Sequence, residues 1–175
     1  FEYHTSPEYS GRSSTRVSAT AAEFALVVFR PQKIGLGGRG PNGEIPETFV
    51  SQPLMANPKF DRVPYAIPMH TKRSNGSFGN DFVLISVHLH AERQGQSAAE
   101  SIDQRNGEIN EVFKWADRLT RDTGERDFIF LGDMNVASSS EVLGVLSSNP
   151  AAEKWDSLNS EAFPTNLILD RPYDQ

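Results

Sequence analysis

A chain of 175 residues, 37% of them hydrophobic, is long enough to bury the core of one globular domain. Its formal net charge of -6 excludes a basic protein that coats nucleic acid, although a few arginines and a metal ion could still bind phosphates locally. The absence of cysteine excludes disulfides and thiolate metal sites, and no apolar run is long enough to span a membrane.

The first half of the chain predicts short strands joined by polar loops. Residues 25–29 are an apolar run rich in strand-forming residues, typical of a strand buried on both faces. Residues 34–36 could pair with this strand, and the glycines of residues 35–43 indicate a flexible surface loop. Residues 63–71 predict a strand at the edge of a sheet, because two prolines interrupt it.

The second half of the chain alternates between strand and helix patterns. Residues 82–89 and 128–131 are apolar runs that predict fully buried strands, and residues 98–122 place apolar side chains at helical spacing. Ser138 and Glu141 have the spacing of a capping box and indicate a second, shorter helix. Buried strands joined by a helical crossover indicate an α/β protein.

Polar residues follow two of the predicted strands at the points where they end. His88 ends one apolar run, and Asp133 and Asn135 follow another. If the two strands are neighbours, the three side chains converge at one edge of the sheet, where α/β proteins bind ligands. A carboxylate beside a carboxamide offers oxygen ligands to Mg²⁺ or Ca²⁺, and a histidine can transfer a proton near neutral pH. Together these residues suit the hydrolysis of a phosphodiester.

Each of these residues taken alone has a simpler interpretation. A Gly-Asp pair after a strand is most often a turn or a helix cap, and a histidine at a strand end is more often hydrogen-bonded than catalytic. Arg105 and Glu108 are spaced as a helical pair and are predicted to be structural. His4 and His90 are interpreted as surface histidines.

Motifs in this order resemble the endonuclease/exonuclease/phosphatase superfamily. Residues 131–135, Leu-Gly-Asp-Met-Asn, are similar to its Gly-Asp-Phe-Asn box. Residues 85–89, Ile-Ser-Val-His-Leu, are similar to its strand that ends in a catalytic histidine. Residues 165–166, Thr-Asn, and 172–174, Pro-Tyr-Asp, resemble elements that come later in the family.

Two segments near the start resemble the deoxyribonuclease I branch of this superfamily. Residues 6–12 are similar to its Ser-Glu-Pro-Leu-Gly-Arg loop, and residues 23–33 to its Leu-Phe-Leu-Phe-Arg-Pro-Asn-Lys strand. The resemblance implies an α/β (α+β) fold that is part of a four-layer sandwich, with two packed mixed β-sheets flanked by helices. It also implies that residues 1–175 are one incomplete domain, without the family's first and last strands.

The resemblance implies roles for individual residues. His88 would be one of two catalytic histidines, and Glu8 would be the carboxylate that orients it. Asp133 and Asn135 would hold the metal, the phosphate or the attacking water. Asp174 would bind the metal or stabilise the transition state.

The resemblance also implies a cofactor and a partner. The metal would be Mg²⁺, or else Mn²⁺ or Ca²⁺. The substrate would be nucleic acid, with DNA favoured. No membrane partner is implied. Arg30 would contact a substrate phosphate through its planar donor fork. The family's initial metal-binding Glu and its final Asp-His are not found, so we expect the natural protein to be longer, or another chain to supply the missing strands. A secreted or periplasmic location is favoured over a cytoplasmic one.

Three functions remain open from the sequence. The resemblance favours a divalent-metal-dependent DNA endonuclease. A phosphatase or phospholipase-like hydrolase would share the catalytic core and would differ in loops that meet the substrate, such as residues 35–62. The third is a truncated, non-catalytic binding module on the same fold.

Overall fold

The computed structural model describes residues 1–6, 25–50, 60–136, 139–148 and 155–156. The strands of the described residues are β1 (Glu2–Thr5), β2 (Leu26–Phe29), β3 (Ile34–Leu36), β4 (Gly38–Gly40), β5 (Gly43–Ile45), β6 (Thr48–Phe49), β7 (Tyr65–Lys72), β8 (Phe78–His88) and β9 (Phe128–Asp133). The helices are α1 (Ala98–Thr123), between β8 and β9, and α2 (Ser139–Ser148). Glu8, Asp174, Ser138 and the segments 165–166 and 172–174 lie outside the described residues, so the predictions made for them stay predictions.

A five-stranded mixed sheet forms the centre of the described fold. Its strands follow the order β3-β7-β8-β9, and β6 also pairs with β7. β7 is antiparallel to its partners, whereas β8 and β9 are parallel. A parallel pair needs a crossover connection, and α1 provides it. The predicted mixed α/β class is confirmed.

Helix α1 begins and ends at the signals that its sequence carries. The Ser97 hydroxyl accepts the Glu100 N–H at 3.3 Å, and the Glu100 carboxylate accepts the Ser97 N–H at 2.8 Å, which completes a capping box. At the other end Gly124 adopts the left-handed conformation with φ of 79° and donates its N–H to the Thr120 carbonyl. The predicted helix over residues 98–122 is therefore confirmed. No helix of the described residues is long and apolar enough to cross a membrane.

Two apolar clusters cover opposite faces of the central sheet, because side chains alternate along β8. Val83 and Ile85 pack with the buried face of α1 on one side. Leu84 packs on the other side with Ile67 of β7 and Phe29 of β2. The small β1-β2 sheet therefore packs on the face opposite α1, which gives the described residues two packed sheets and a helical layer.

Two strands that were predicted to be buried on both faces are buried on one. On β2, Leu26 and Val28 are exposed, although Phe29 is buried. On β9, Ile129 and Leu131 are exposed, while the alternate residues pack toward α1. The prediction was wrong because an apolar run does not reveal whether a second layer covers its outer face. Among the described residues, nothing covers these outer faces.

The segment after β2 also differs from the sequence prediction. Residues 34–36 pair with β7 and not with β2. The glycine-rich residues 35–43, predicted to be a flexible loop, instead contribute to β3 and to the β4-β5 hairpin. Gly43 allows this tight connection because it adopts a φ of 136°, which other residues rarely reach.

Strand β7 lies inside the sheet and not at its edge as predicted. Its prolines were the basis for the prediction, because proline has no N–H for a ladder. The Pro68 carbonyl accepts the Gly37 N–H at 2.8 Å, on the side away from β8. In an antiparallel strand, the nitrogen and the carbonyl of one residue face the same neighbouring strand. The nitrogen of Pro68, which has no hydrogen to donate, therefore also faces away from β8. β6 pairs with the residues before Pro68 and β3 with those after it, so no ladder bond is lost.

Candidate active site

His88 and Asp133 lie side by side at the ends of the two parallel strands. They are register partners, because the pairing of β8 with β9 begins at Val83 and Phe128 and continues without a shift. The His88 Nε2 atom is 3.6 Å from the Asp133 Oδ2 atom, and the two side chains are 38% and 37% exposed. An imidazole and a carboxylate therefore meet at an edge of the sheet that solvent and a substrate can reach.

The local backbone structure explains why each residue type occurs at its position from Gly132 to Asn135. Gly132 has φ of 139°, and a Cβ there would collide with the carbonyl of Val87. The Asp133 Oδ1 atom accepts the Asn135 N–H at 3.0 Å, and Asn135 adopts a left-handed φ of 52°, which asparagine tolerates. Met134 is buried and faces away from the site, as its position between the two polar residues predicts.

The carbonyl of Leu89 joins three parts of the site. It accepts an N–H from the Asn135 carboxamide at 2.8 Å and an N–H from Nη1 of Arg62 at 3.4 Å. The Leu89 N–H donates to the Asp133 carbonyl at 2.9 Å. The Asn135 amide and the Arg62 guanidinium are therefore neighbours, beside the residue that follows His88.

Arg62 was not recognised from the sequence. It is the last residue of the 35–62 loop region, no sequence motif distinguishes it, and it precedes β7. The register of β7 and β8 places Tyr65 opposite Ser86, so the chain before β7 runs beside the end of β8. This long-range pairing brings the Arg62 cation beside the end of β8.

Arg30 lies at the other end of the molecule's central sheet. Its carbonyl accepts the N–H of Ile34, and Ile34 pairs with Thr71 near the start of β8. The point of β8 that lies beside Thr71 is eight strand residues before His88, which corresponds to roughly 26 Å along the strand. The Arg30 guanidinium lies 5.4 Å from the ring centre of Phe1. The structure therefore does not bring Arg30 to the phosphate that His88 could reach.

Among the described residues, a divalent cation finds one carboxylate ligand at this edge, that of Asp133. Asp133 uses Oδ1 for the Asn135 N–H, while Oδ2 faces His88. Within the described ranges, no three His, Asp or Glu side chains are grouped so that they could hold a metal. Mg²⁺ commonly binds through only one or two carboxylates and keeps water and phosphate oxygens as its other ligands. Asp133 fits one such ligand position, and the predicted ligand Asp174 lies outside the described residues.

Two buried charged residues of α1 hold the loops that border the site. The Glu108 carboxylate accepts the Asp61 N–H at 3.0 Å and the His90 N–H at 2.8 Å. Arg105 donates to the His90 carbonyl at 3.2 Å and to both oxygens of Glu141 at 2.5 and 3.0 Å. Their predicted structural role agrees with these contacts, but each binds partners outside the helical pair that the spacing suggested.

His90 is buried, so its interpretation as a surface histidine is wrong. Its Nδ1 atom lies 2.5 Å from Asp61 Oδ2, and its Nε2 atom lies 2.7 Å from Gln96 Oε1. The loop after β8 turns toward α1 because Glu108 and Arg105 bind both sides of the His90 backbone. A polar cavity of about 710 Å³ borders His90 and Asp61 but is not lined by His88 or Asp133.

His4 is also partly buried and not a surface histidine as predicted. Its Nε2 atom lies 3.1 Å from Glu47, which accepts a 2.6 Å hydrogen bond from the Tyr65 hydroxyl. Burial raises the pKa of the Tyr65 hydroxyl, and the bond to Glu47 raises it further. Tyr65 therefore remains a hydrogen-bond donor at neutral pH and fixes Glu47 near the start of β7.

The stability of the protein should depend on pH through Glu108. Burial raises the pKa of its carboxyl from 4.5 to about 7, although two backbone N–H bonds oppose the shift. Because the pKa is higher in the folded state, the associated stability is complete below about pH 4.5 and is lost as the pH rises through about 7. The loss should be about 3 kcal/mol, and Glu108→Gln should abolish it.

Urea unfolding at a series of pH values measures this effect. Glu111→Gln is the control, since Glu111 is also buried on α1 but binds Lys114. The control should keep the slope of the wild-type protein between pH 4.5 and 7. An unchanged slope in Glu108→Gln would contradict the assignment.

Comparisons with known proteins give similarities to solved structures only. No protein-family model and no curated protein sequence matches the chain. It is similar to the human Nocturnin catalytic domain with bound sulfate, with a TM-score of 0.48 and 16% identity over 84% of this chain and 48% of that one. It is also similar to a β-hairpin deletion mutant of beta toxin from Staphylococcus aureus, with a TM-score of 0.42 and 17% identity over 63% of this chain and 41% of that one. The chain thus spans less than half the length of either structure.

Proposed function

We propose that this protein is a divalent-metal-dependent phosphodiesterase of the endonuclease/exonuclease/phosphatase superfamily, and that its substrate is DNA. The observation that carries the proposal is the pairing of His88 with Asp133 at the ends of β8 and β9. Asn135 and Arg62 support it, because both side chains donate to the carbonyl of Leu89, the residue that follows His88. The resemblance of residues 85–89 and 131–135 to the superfamily's two boxes points to the same chemistry.

His88 and Asp133 would have different roles in the reaction, proton transfer and metal binding. A divalent ion, when bound, would neutralise charge on the phosphate, with Asp133 as one of its ligands. His88 would carry a proton at Nε2, either from the attacking water or to the leaving oxygen. Its partial exposure gives this proton a route to solvent. By resemblance, Glu8 would orient His88, and Asp174 would provide a further metal ligand.

Asn135 and Arg62 would bind the phosphoryl oxygens. A guanidinium carries five N–H groups in a planar fork whose geometry matches a phosphate. The Asn135 carboxamide has a second N–H besides the one bound by Leu89. Fixed donors of this kind stabilise the charge that develops in the transition state. Arg30 would contact a different phosphate of a long substrate, because it lies at the far end of the sheet.

Plasmid nicking by the full-length protein tests this function. We expect supercoiled DNA to be converted to nicked circles with Mg²⁺ or Mn²⁺, to be left intact with a chelator, and to be cleaved again after excess metal is added. Cleavage that persists in the chelator would contradict the metal requirement.

The same assay separates the alternatives. Hydrolysis of a phospholipid or an inositol phosphate without nicking would support a metal-dependent hydrolase and contradict DNA as its substrate. DNA binding without any hydrolysis would indicate a non-catalytic module and overturn the proposal.

A further inference from the structure

One carboxylate of α1 reaches both of the loops that border His88. The two oxygens of Glu108 accept the N–H groups of Asp61 and His90, which come from the segments before β7 and after β8. These segments are far apart in sequence, and the Glu108 side chain is fully buried between them. Glu108 therefore fixes the distance between the two loops.

Each of these N–H groups is one residue away from a group of the candidate site. Asp61 precedes Arg62, and His90 follows Leu89. The Leu89 carbonyl in turn accepts from both Asn135 and Arg62. A shift of either loop would therefore move the donors that we assign to the phosphate.

We propose that Glu108 is a positioning residue for phosphodiester hydrolysis, which acts by holding Arg62 and the Leu89 carbonyl in register with His88. This inference rests on the proposed function. Glu108 touches no reacting atom, and its effect passes through the backbone of Asp61 and His90. Arg105 strengthens the arrangement because it binds the carbonyl of the same His90 residue.

The two oxygens of the Glu108 carboxylate match two buried N–H groups that need acceptors at once, and these bonds oppose the cost of burying its charge. An amide offers one oxygen and presents two N–H donors to the remaining space, so a glutamine would satisfy only one loop. The unsatisfied N–H would then favour a displaced loop. Glu108→Gln keeps the size of the side chain, removes one acceptor oxygen and removes the charge.

Glu111 provides a matched control on the same helix. It is buried like Glu108, but its carboxylate accepts from Lys114 Nζ at 2.7 Å, one helical turn away. Glu111→Gln thus removes a buried charge of the same helix without changing the two loops. The comparison separates loop positioning from the general effect of a charge removed from α1.

The experiment measures plasmid nicking with Mg²⁺ by the full-length wild-type protein and both variants. We expect Glu108→Gln to lower kcat by about 10- to 100-fold, with KM within about threefold, and Glu111→Gln to stay within about twofold of the wild type. Circular dichroism verifies folding at the assay temperature. If Glu108→Gln does not fold, Glu108→Asp takes its place, because it withdraws the carboxylate by one methylene group. The same changes in kcat and KM are then expected of Glu108→Asp.

A double variant distinguishes positioning from a merely structural role. If Glu108 acts through Arg62, the loss caused by Glu108→Gln should shrink at least about threefold when Arg62→Ala is already present. Equal losses in both backgrounds would overturn the proposal, as would full activity of Glu108→Gln or a loss confined to KM. An inactive wild-type protein would instead overturn the proposed function, and this inference with it.

Discussion

His88→Ala and Asp133→Ala, each in the full-length protein, should lower the rate of phosphodiester hydrolysis by at least about 100-fold. The first variant removes the proposed proton carrier, and the second removes a proposed metal ligand together with the acceptor of the Asn135 N–H. Both side chains are more than a third exposed, so neither variant should lose much folding stability. Initial rates of plasmid nicking with Mg²⁺ measure the loss, and circular dichroism checks the fold.

The chain contains a matched pair for this experiment. His70 and Asp81 are register partners across β7 and β8, as His88 and Asp133 are across β8 and β9, but they lie toward the other end of β8. His70→Ala and Asp81→Ala should therefore retain activity within about twofold of the wild type. Near-normal rates in the His88 and Asp133 variants would refute the roles assigned to these residues.

Arg105→Ala should lower the free energy of unfolding by about 3–5 kcal/mol. Arg105 and Glu141 are almost completely buried, and their ion pair joins α1 to α2. Truncation would leave the Glu141 carboxylate buried without this partner and would also remove the donor to the His90 carbonyl. Equilibrium unfolding in urea gives the difference in free energy.

Arg93→Ala is the control for this prediction. Arg93 also forms an ion pair with a carboxylate, that of Asp61 at 2.7 Å, but the Arg93 side chain is largely exposed. Exposed pairs contribute about 0–1 kcal/mol because water screens them, so this variant should lose no more than that. Similar losses in the two variants would mean that the Arg105 pair is not buried in solution.

The sequence predicted the parts of the fold that depend on local signals. Helix α1 was predicted from the helical spacing of its apolar side chains and from Gly124 at its end, and the structure adds the cap at Ser97. The His88 and Asp133 pairing was anticipated because both residues follow apolar runs, and parallel strands end at the same edge of a sheet. The outer faces of β2 and β9 were misjudged, since burial there depends on other layers of the fold.

The supporting residues of the site were harder to find, for a physical reason. Arg62 and Glu108 are charged residues that alone resemble solvent-facing positions, and no local pattern distinguishes them. Their roles depend on contacts with segments distant in sequence, such as the Glu108 bond to Asp61, 47 residues away. Arg105 and Glu108 were predicted to form a helical pair, and their partners in the neighbouring loops and in α2 became apparent only from the fold.

The parallel pairing of β8 and β9 has a consequence for when the proposed site forms during folding. His88 and Asp133 are separated in sequence by the whole of α1 and its two connections. The chain must close this long loop before the pair can form, and the entropy lost on closure is recovered only by the later contacts. The His88–Asp133 pair should therefore form late in folding, and a fragment that ends within α1 would contain only one member of the pair.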